Sequence, residues 1–465
     1  MSATITEIER RANKIDELCR DLIPPRETWT PVDESLHPVD VLRVPLDEAL
    51  ALQFRAIKHA FTRHYTYNDF YRRYCDKLHV TPDDLRTNED FEKVPLIPDA
   101  TFKQHPSGED FAYWITNIFT GQLPGAVEID PSNMTFDDII QAFNDSGLVV
   151  TYSTGTSGQH SVIPRDKRTF SYFQYGAAKA TVGIYDQVLD HALSLFPKPR
   201  NTNLWASRGP EIQRRLVRDH SYGLELTITA DTAAKTMSGK DQSKSAQKAA
   251  QKAGQMMMRK VFETGLGFCE RYEKTNDTIG ITAPPALFYG FLEFLETVGK
   301  RFEFGERGFI SIGGGWKTAE NEQIPQETFR KRVEKILGIP DTRCLDAYGM
   351  VEMNSYLPTC PEGHYFHVPF TWLAPLVLDA NMEPTSYGEW GRFAFLDATA
   401  YSYPGFVLSG DRVRMHKRCP ICDRPGPVFE PGIERLTSEE MRGCAAEVIS
   451  ALQTDLTGLM DAARK

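Results

Sequence analysis

The chain has 465 residues, 53 of them basic and 63 acidic, and a formal net charge of −10 at pH 7. This length predicts an ample core, divided over two or more domains or gathered in one large multi-sheet domain. The acidic balance argues against a broad nucleic-acid surface, which needs a positive field, and no apolar run reaches the roughly 20 residues that span a bilayer.

The N-terminal part of the chain is predicted to be helical. The first ten residues lack the apolar stretch of a secretory signal peptide, so we expect a cytoplasmic protein. Residues 1–90 have apolar side chains at helical spacing, most clearly over 8–22 and 46–61. A turn punctuated by prolines follows at 94–103.

A loop rich in hydroxyls and glycines follows a short apolar run at 147–150, which predicts a buried strand. Glycine permits positive φ values, so backbone N–H groups and hydroxyls in such a loop can surround a phosphate. Neither a Walker A loop nor Gly-x-Gly-x-x-Gly is present, and by composition alone a solvated surface loop is the alternative. The candidate phosphate ligands are Ser153, Thr154, Gly155, Thr156, Ser157 and Gly158.

Two later segments have a distinctive composition. Residues 231–260 are rich in Ala, Lys and Gln, with lysines at near-helical spacing. A solvated helix or disordered insertion is one interpretation, and a lid that neutralises phosphates or docks a partner is the other. Residues 309–312 predict a buried strand that ends in three glycines, where the backbone must come close to another group.

Three segments resemble, in order, the motifs of the adenylate-forming superfamily, which activates carboxylic acids with ATP. Residues 153–158 resemble its phosphate-binding signature, and 346–352 resemble its Tyr-Gly-x-Thr-Glu motif with Val351 in place of threonine. Residues 409–411 resemble its Thr-Gly-Asp motif. The resemblance implies an α/β fold, namely the N-terminal-type adenylation domain with mixed sheets flanked by helices.

The resemblance also implies an ATP site. The loop 153–158 would hold the β- and γ-phosphates, Tyr348 would lie against the adenine, and Glu352 would hold Mg²⁺. Asp411 would bind the ribose, because a carboxylate can accept two hydrogen bonds at once. Joining a carboxylate to ATP brings two anions together, so cations must also face the site. Further candidates for contacts with the nucleotide or the reacting groups are Arg165, Gly314, Lys317, Gly349 and Arg435.

The Gly-Gly-Trp-Lys sequence at 314–317 is similar to the acyl-protein synthetase branch, typified by the fatty-acid-activating subunit of the bacterial bioluminescence reductase complex. The segments 98–103, 153–166 and 442–444 point to the same branch. In these enzymes a cysteine near the C-terminus takes the acyl group from the adenylate, and Cys444 matches that position. The arginine two residues before it would favour the thiolate, and a small buried thiol is the alternative.

The resemblance also implies a domain organisation. Full-length acyl-CoA ligases carry a mobile C-terminal domain of about a hundred residues, and the stretch from Asp411 to residue 465 is too short to contain it. We therefore expect an adenylation core that lacks the full mobile domain. Its parts would be a helical segment 1–90, the core 91–408 and a short segment 409–465 with a Cys-rich knuckle.

The eight cysteines are not expected to form disulfides in a cytoplasmic protein. Four of them have apolar surroundings, whereas Cys419 and Cys422 form a Cys-x-x-Cys pair. With Cys360 and His367, or with His364 as substitute, this pair would supply the ligands of a structural Zn²⁺ site. Phenylacetate-CoA ligases, which the chain resembles, place a similar knuckle there. Unrelated free thiols and a redox dithiol are the alternatives.

The sequence thus predicts an acid–thiol ligase that uses ATP and Mg²⁺ to convert a carboxylic acid, expected to be a fatty acid, to an acyl-adenylate. The acceptor would be Cys444 and then a partner such as an acyl-reductase or another acyl-acceptor protein, with Glu352 and Lys317 as further catalytic residues. One alternative is a phenylacetate-type coenzyme A ligase. The other is a catalytically silent nucleotide-binding scaffold, which the valine at 351 and the missing mobile domain would allow.

Overall fold

The computed structural model describes residues 4–129, 135–154, 160–186, 188–199, 202–225, 227, 229, 244–315 and 323–436. Two sheets and a hairpin, with helices packed around them, form the described part of the chain. Within these residues no helix is both long enough and apolar enough to cross a bilayer.

Among the described residues, helices come first in the chain, helices and strands intermix through its middle, and strands follow the last α-helix. In chain order the helices are α1 (Ile5–Leu18), α2 (Pro31–Leu36), α3 (Leu46–Tyr67), α4 (Asp69–Lys77), α5 (Glu109–Ile118), α6 (Phe136–Asp145), α7 (Lys167–Lys179), α8 (Trp205–Arg208), α9 (Gln213–Leu216), α10 (Lys244–Tyr272), α11 (Pro285–Thr297) and α12 (Gln326–Leu337). The strands are β1 (Ile97–Pro98), β2 (Val149–Tyr152), β3 (Val162–Arg165), β4 (Leu189–Pro197), β5 (Val217–Leu224), β6 (Ile279–Ala283), β7 (Gly308–Gly313), β8 (Cys344–Tyr348), β9 (Leu357–Pro358), β10 (Phe366–His367), β11 (Leu373–Leu378), β12 (Trp390–Asp397), β13 (Phe406–His416), β14 (Val428–Phe429) and β15 (Glu434–Arg435).

The helical prediction for the N-terminal segment is confirmed by α1 to α4. Asn68 separates α3 from α4, and its side-chain oxygen caps α4 by accepting a hydrogen bond from the backbone N–H of Tyr71. The apolar faces of these helices belong to the same buried cluster as residues of β12 and β13. The rings of Phe61 on α3 and Phe406 on β13, for example, pack edge to face with their centres 6.0 Å apart.

The six-stranded sheet has the order β5-β4-β6-β7-β8-β9 and is parallel except for its last pair. Alternate side chains point to opposite faces, so Ile279, Ile281 and Ala283 share one face of β6. That face belongs to a second core with α10, α11 and α12. The buried strand predicted before the triple glycine is confirmed by β7, and Gly314 directly after it has φ 89°, a value that favours glycine.

The other large sheet is built around β13, which has 11 residues. β12 pairs with β13 along one edge. Because β12 occupies that edge, the short strands β1, β15 and β14 must line the opposite one, pairing in turn with Val407–Leu408, Asp411–Arg412 and Met415–His416. Segments from distant parts of the chain therefore end side by side on β13.

The strand predicted before the hydroxyl-rich loop is confirmed as β2, which forms an antiparallel hairpin with β3. Tyr152 lies opposite Val162, and both side chains are fully buried. The bridge between Tyr152 and Leu204 and the hydrogen bond from Tyr152 N to Asn203 O attach this hairpin to the segment before α8.

We predict that Ile310→Ala in the centre of the parallel sheet lowers the free energy of unfolding by about 2–5 kcal/mol, since a fully buried isoleucine leaves a cavity. Val298→Ala, at a position that is 44% exposed, is the control and should change it by less than about 0.5 kcal/mol. Denaturant titration measures both. Equal effects would contradict the assignment of β7 to the core.

Candidate functional site

The Thr-Gly-Asp-like motif lies on β13 where three chain segments meet. Asp411 faces Arg435 of β15 across the strand pair. Pro98, at the end of β1, lies opposite Leu408. The next residue, Asp99, therefore lies beside the motif at 409–411. The pairing of short strands with β13 is thus what brings Asp99 and Arg435 to Asp411.

Both oxygens of the Asp411 carboxylate are engaged. The Tyr348 hydroxyl donates to Oδ2 at 2.6 Å, and Arg435 Nη1 donates to Oδ1 at 2.8 Å. Burial, followed by the charge of Asp411, raises the pKa of Tyr348 well above its usual value, so the phenol stays a donor. This bond fixes the Tyr348 ring beside the carboxylate and joins the second and third motifs.

A row of alternating charges continues from Arg435. Its Nη2 donates to Asp99 Oδ2 at 3.2 Å, and Lys103 Nζ donates to the same oxygen at 2.6 Å. The Asp99 side chain is 6% exposed, whereas that of Lys103 is 21% exposed. The ammonium of Lys103 therefore lies at the edge of the site, next to a buried carboxylate.

Glu352 lies in the turn that follows β8 and is 4% exposed. Burial raises the pKa of its carboxyl. The charge of Lys103 lowers this pKa and that of Asp99 raises it, so both groups act on the Glu352 carboxyl electrostatically. Glu352 thus belongs to the same charged cluster as Asp411.

The hydroxyl-rich loop begins next to this cluster. Ser153 N donates to Ser161 O at 2.9 Å, and Ser161 N donates to Ser153 Oγ at 2.9 Å, which closes the base of the loop. The Ser161 hydroxyl in turn lowers the pKa of Glu352. The effect of Ser161 on the pKa of Glu352 indicates that the base of the loop lies near the charged cluster, although Ser153, Glu352 and Asp411 are far apart in the chain.

The remaining predicted site residues fall into two groups. Gly314 and Gly349 are described. A Cβ built on Gly314 meets none of the described atoms within 4 Å, whereas one built on Gly349 would lie in ordinary contact, 3.6 Å from the carbonyl oxygen of Ser355. Thr154 follows Ser153 directly. Outside the described residues lie Gly155, Thr156, Ser157, Gly158, Lys317 and Cys444.

Arg165 does not face the site as expected. Its side chain is fully buried at the end of β3, and its guanidinium donates to Thr151 Oγ1, to Asn354 Oδ1 and to the carbonyl of Val351. The prediction that Arg165 contacts phosphates is therefore wrong, because these bonds turn its donors into the core. Its sequence position correctly placed Arg165 near the hydroxyl-rich loop, but its side chain points into the core and not toward the site.

Asp99 and Lys103 were not predicted as site residues. The feature of the sequence that could have identified them is the segment 98–103, whose proline and Phe-Lys pair contributed to the family resemblance. The contacts of Lys103 depend on the parallel pairing of β1 with β13, which connects residues about 300 positions apart. A pattern within the segment holds no information on that pairing.

A separate cluster contains the predicted zinc ligands. The ligand atoms of Cys360, His367, Cys419 and Cys422 lie within 4.8 Å of one another, and all four residues are buried. The expected substitute, His364, is turned away and pairs with Asp341 at 2.7 Å. The donor set of three sulfurs and one imidazole fits the preference of Zn²⁺ for soft ligands in a closed site.

The strand connections explain this cluster. Cys360 comes shortly after β9, and His367 ends β10, which pairs with β14. Cys419 and Cys422 lie in the connection between β13 and β14. The four remaining described cysteines are buried away from this cluster, as predicted, and burial raises the pKa of Cys19 and of Cys75 to about 12.

Comparisons with known proteins agree with one another on the kind of protein that this chain resembles. Residues 264–453 match the family described as acyl-protein synthetase, LuxE. The chain is 24% identical over 430 residues to the long-chain-fatty-acid–luciferin-component ligase of Vibrio harveyi, covering 91% of this chain and 94% of the relative. The protein of the same name from Aliivibrio fischeri is 23% identical over 428 residues, covering 88% and 91%.

Among solved structures, 2-hydroxyisobutyryl-CoA ligase in the postadenylation state superposes with a TM-score of 0.57 at 15% identity. The match covers 90% of this chain and 74% of that chain. At this identity the likeness shows a shared fold. The adenylate-forming α/β fold predicted from the motifs is therefore confirmed, as is the resemblance to acyl-protein synthetases.

Proposed function

We propose that this relative of the acyl-protein synthetases activates a fatty acid with ATP and hands the acyl group to a thiol. Its two named relatives are ligases of long-chain fatty acids. The observation that carries the proposal is the hydrogen bond from Tyr348 to Asp411, which joins the second and third motifs. Asp99, which pairs with Arg435 beside Asp411, also acts electrostatically on Glu352. These interactions support a single site for the triphosphate, Mg²⁺ and the ribose.

The reaction has two steps. A carboxylate oxygen of the acid attacks the α-phosphorus of ATP, and the bond from that phosphorus to the bridging oxygen breaks, so pyrophosphate leaves with the electron pair. A thiolate sulfur then attacks the acyl carbon of the adenylate, and AMP leaves. The first step joins two anions, so positioning and positive charge are the main contributions of the protein.

Each described residue of the site has a corresponding role. Asp411 would accept hydrogen bonds from the ribose hydroxyls while its bond to Arg435 holds the carboxylate in place, and the ring of Tyr348 would pack against the adenine. Glu352 suits Mg²⁺, which takes one or two carboxylates together with phosphate oxygens and water. Mg²⁺ bound there would neutralise phosphate charge, and it would favour the ionised form of a buried carboxyl.

Lys103 adds a cation that the motifs did not identify. Its ammonium has three donors, one of which bonds Asp99. Because the side chain is partly exposed beside Glu352, the other donors would reach an oxygen of the phosphates or of the acid. Arg435, by contrast, is held between two carboxylates.

We predict that Glu352→Gln and Asp411→Asn each lower acid-dependent exchange of labelled pyrophosphate into ATP by about 100-fold or more, the scale for losing one preorganised charge-stabilising group. Glu334→Gln, an exposed carboxylate on α12, is the matched control and should behave like wild type. Fatty and aromatic acids should be tested in parallel. An absence of exchange with every acid would contradict the proposal and favour a catalytically silent scaffold.

The thiol acceptor is proposed from the resemblance, since Cys444 lies outside the described residues. We predict that incubation with ATP, Mg²⁺ and the acid adds one acyl group to the protein, and that Cys444→Ala abolishes the adduct without abolishing pyrophosphate exchange. Intact-mass analysis measures the adduct. Rapid formation of an acyl-coenzyme A without any adduct would instead indicate a coenzyme A ligase.

The Cys and His cluster is proposed to hold a structural Zn²⁺. Its ligands join the connection between β9 and β10 to the connection between β13 and β14. Because β8 and β13 carry Tyr348 and Asp411, the metal would stabilise the frame of the nucleotide site from outside it.

We predict about one equivalent of zinc in the purified protein, since four soft donors in a buried site form a complete tetrahedral set. Cys419→Ser should lose most of the metal and lower the melting temperature. Cys75→Ser, at a buried cysteine outside the cluster, should retain the zinc. Elemental analysis and thermal unfolding measure these effects, and wild-type protein without zinc would contradict the site.

A further inference from the structure

Arg165 is a fully buried cation whose partners are neutral. Nε donates to Asn354 Oδ1 at 2.8 Å, and Nη1 donates to Thr151 Oγ1 at 2.8 Å. Among the described residues, no carboxylate lies within ion-pair distance of its guanidinium. A charge in the core normally needs a counterion, and the Asp397 and Glu352 carboxylates act on Arg165 only from beyond ion-pair distance. Direct pairing therefore does not account for the choice of arginine.

The partners of Arg165 concentrate on the turn that carries Glu352. Nη2 donates to the carbonyl of Val351 at 2.6 Å and to that of Met353 at 3.4 Å. The carbonyl between them, that of Glu352 itself, accepts from the Tyr403 hydroxyl at 3.2 Å. Three successive carbonyls thus accept hydrogen bonds from two buried side chains, which fixes the orientation of the Glu352 backbone, while the charge of Lys103 acts on the Glu352 carboxyl.

The same guanidinium connects this turn to the loop strand. Thr151 is on β2, two residues before Ser153, and Arg165 is on β3, which pairs with β2. The guanidinium also stacks on the ring of Trp205, with its carbon 3.9 Å from the ring centre. Asn354, its Nε partner, is itself held by the Asp397 carboxylate, which accepts from Asn354 N at 2.9 Å.

We propose that Arg165 is a positioning residue: through the carbonyls of residues 351–353 it sets the place of the Glu352 carboxylate relative to the loop that begins at Ser153. This inference rests on the proposed role of Glu352 toward Mg²⁺. Arginine is suited to the task because its planar fork of five donors can bond several acceptors at once. Lysine carries the same charge and cannot span them.

The test is the Mg²⁺ dependence of two readouts in Arg165→Lys, the equilibrium binding of ATP measured by calorimetry and the exchange of pyrophosphate into ATP. The Mg²⁺ concentration that gives half-maximal binding or exchange should rise about 10- to 100-fold, the usual result of removing a group that orients a metal ligand. The KM for the acid should change less than about threefold. Arg165 is fully buried and its donors bond protein groups, so it does not contact the acid. A merely structural role would lower the amount of active enzyme without shifting the Mg²⁺ dependence.

Two further variants complete the test. Tyr403→Phe removes the hydroxyl that donates to the Glu352 carbonyl and accepts from Arg165 Nη2 at 3.4 Å. It should therefore shift the Mg²⁺ dependence in the same direction even if Arg165→Lys fails to fold. Arg168→Lys is the matched control, because this arginine bonds Asp33 and Tyr172 away from the turn. It should keep the wild-type Mg²⁺ dependence, and thermal unfolding should show that each assayed variant is folded.

The outcomes separate the two proposals. If wild-type protein gives no exchange with any acid, the proposed function fails. If wild type is active and Tyr403→Phe and every folded Arg165 variant keep its Mg²⁺ dependence, the positioning role of Arg165 is overturned while the proposed function stands. A similar shift in Arg168→Lys would also overturn it.

Discussion

The candidate site depends on the Asp411 carboxylate being shared between a phenol and a guanidinium. Tyr348 and Arg435 each bond one of its oxygens. Arg435 also bonds Asp99, which in turn accepts from Lys103. Such charge-assisted bonds are short and directional, and each one joins a different strand or turn. Removing the carboxylate would therefore leave a partly buried phenol and a cation without their common partner, and the two motifs would lose their link.

The sequence was sufficient for the fold class. Continuous apolar runs located β2 and β7, and helical periodicity located the N-terminal helices, because each pattern of burial is visible in neighbouring residues. The choice of Cys360, His367, Cys419 and Cys422 also held geometrically, since ligand type and spacing constrain such a cluster strongly. These features share a property: each is determined by residues close together in the chain or by chemistry that few residue types can provide.

Other features could not be obtained in this way. Lys103 reaches the site only because β1 pairs in parallel with β13, and nothing in residues 97–103 specifies that partner. Arg165 was assigned to the phosphates because arginine near such a loop suggests an anion. Its actual direction is determined by acceptors at Asn354 and Val351, nearly 190 positions later. Side-chain direction depends on tertiary contacts, which local patterns do not record.

The shortness of β15 has a consequence for how the site opens. This strand contributes two residues to the edge of β13, and Leu436 N adds one further hydrogen bond to Gly410 O. A short edge strand separates at a lower free-energy cost than the central strands of a sheet. Because Arg435 lies on that strand, its detachment would remove positive charge from Asp99 and Asp411 together. An anion bound beside these two carboxylates would then be held less strongly.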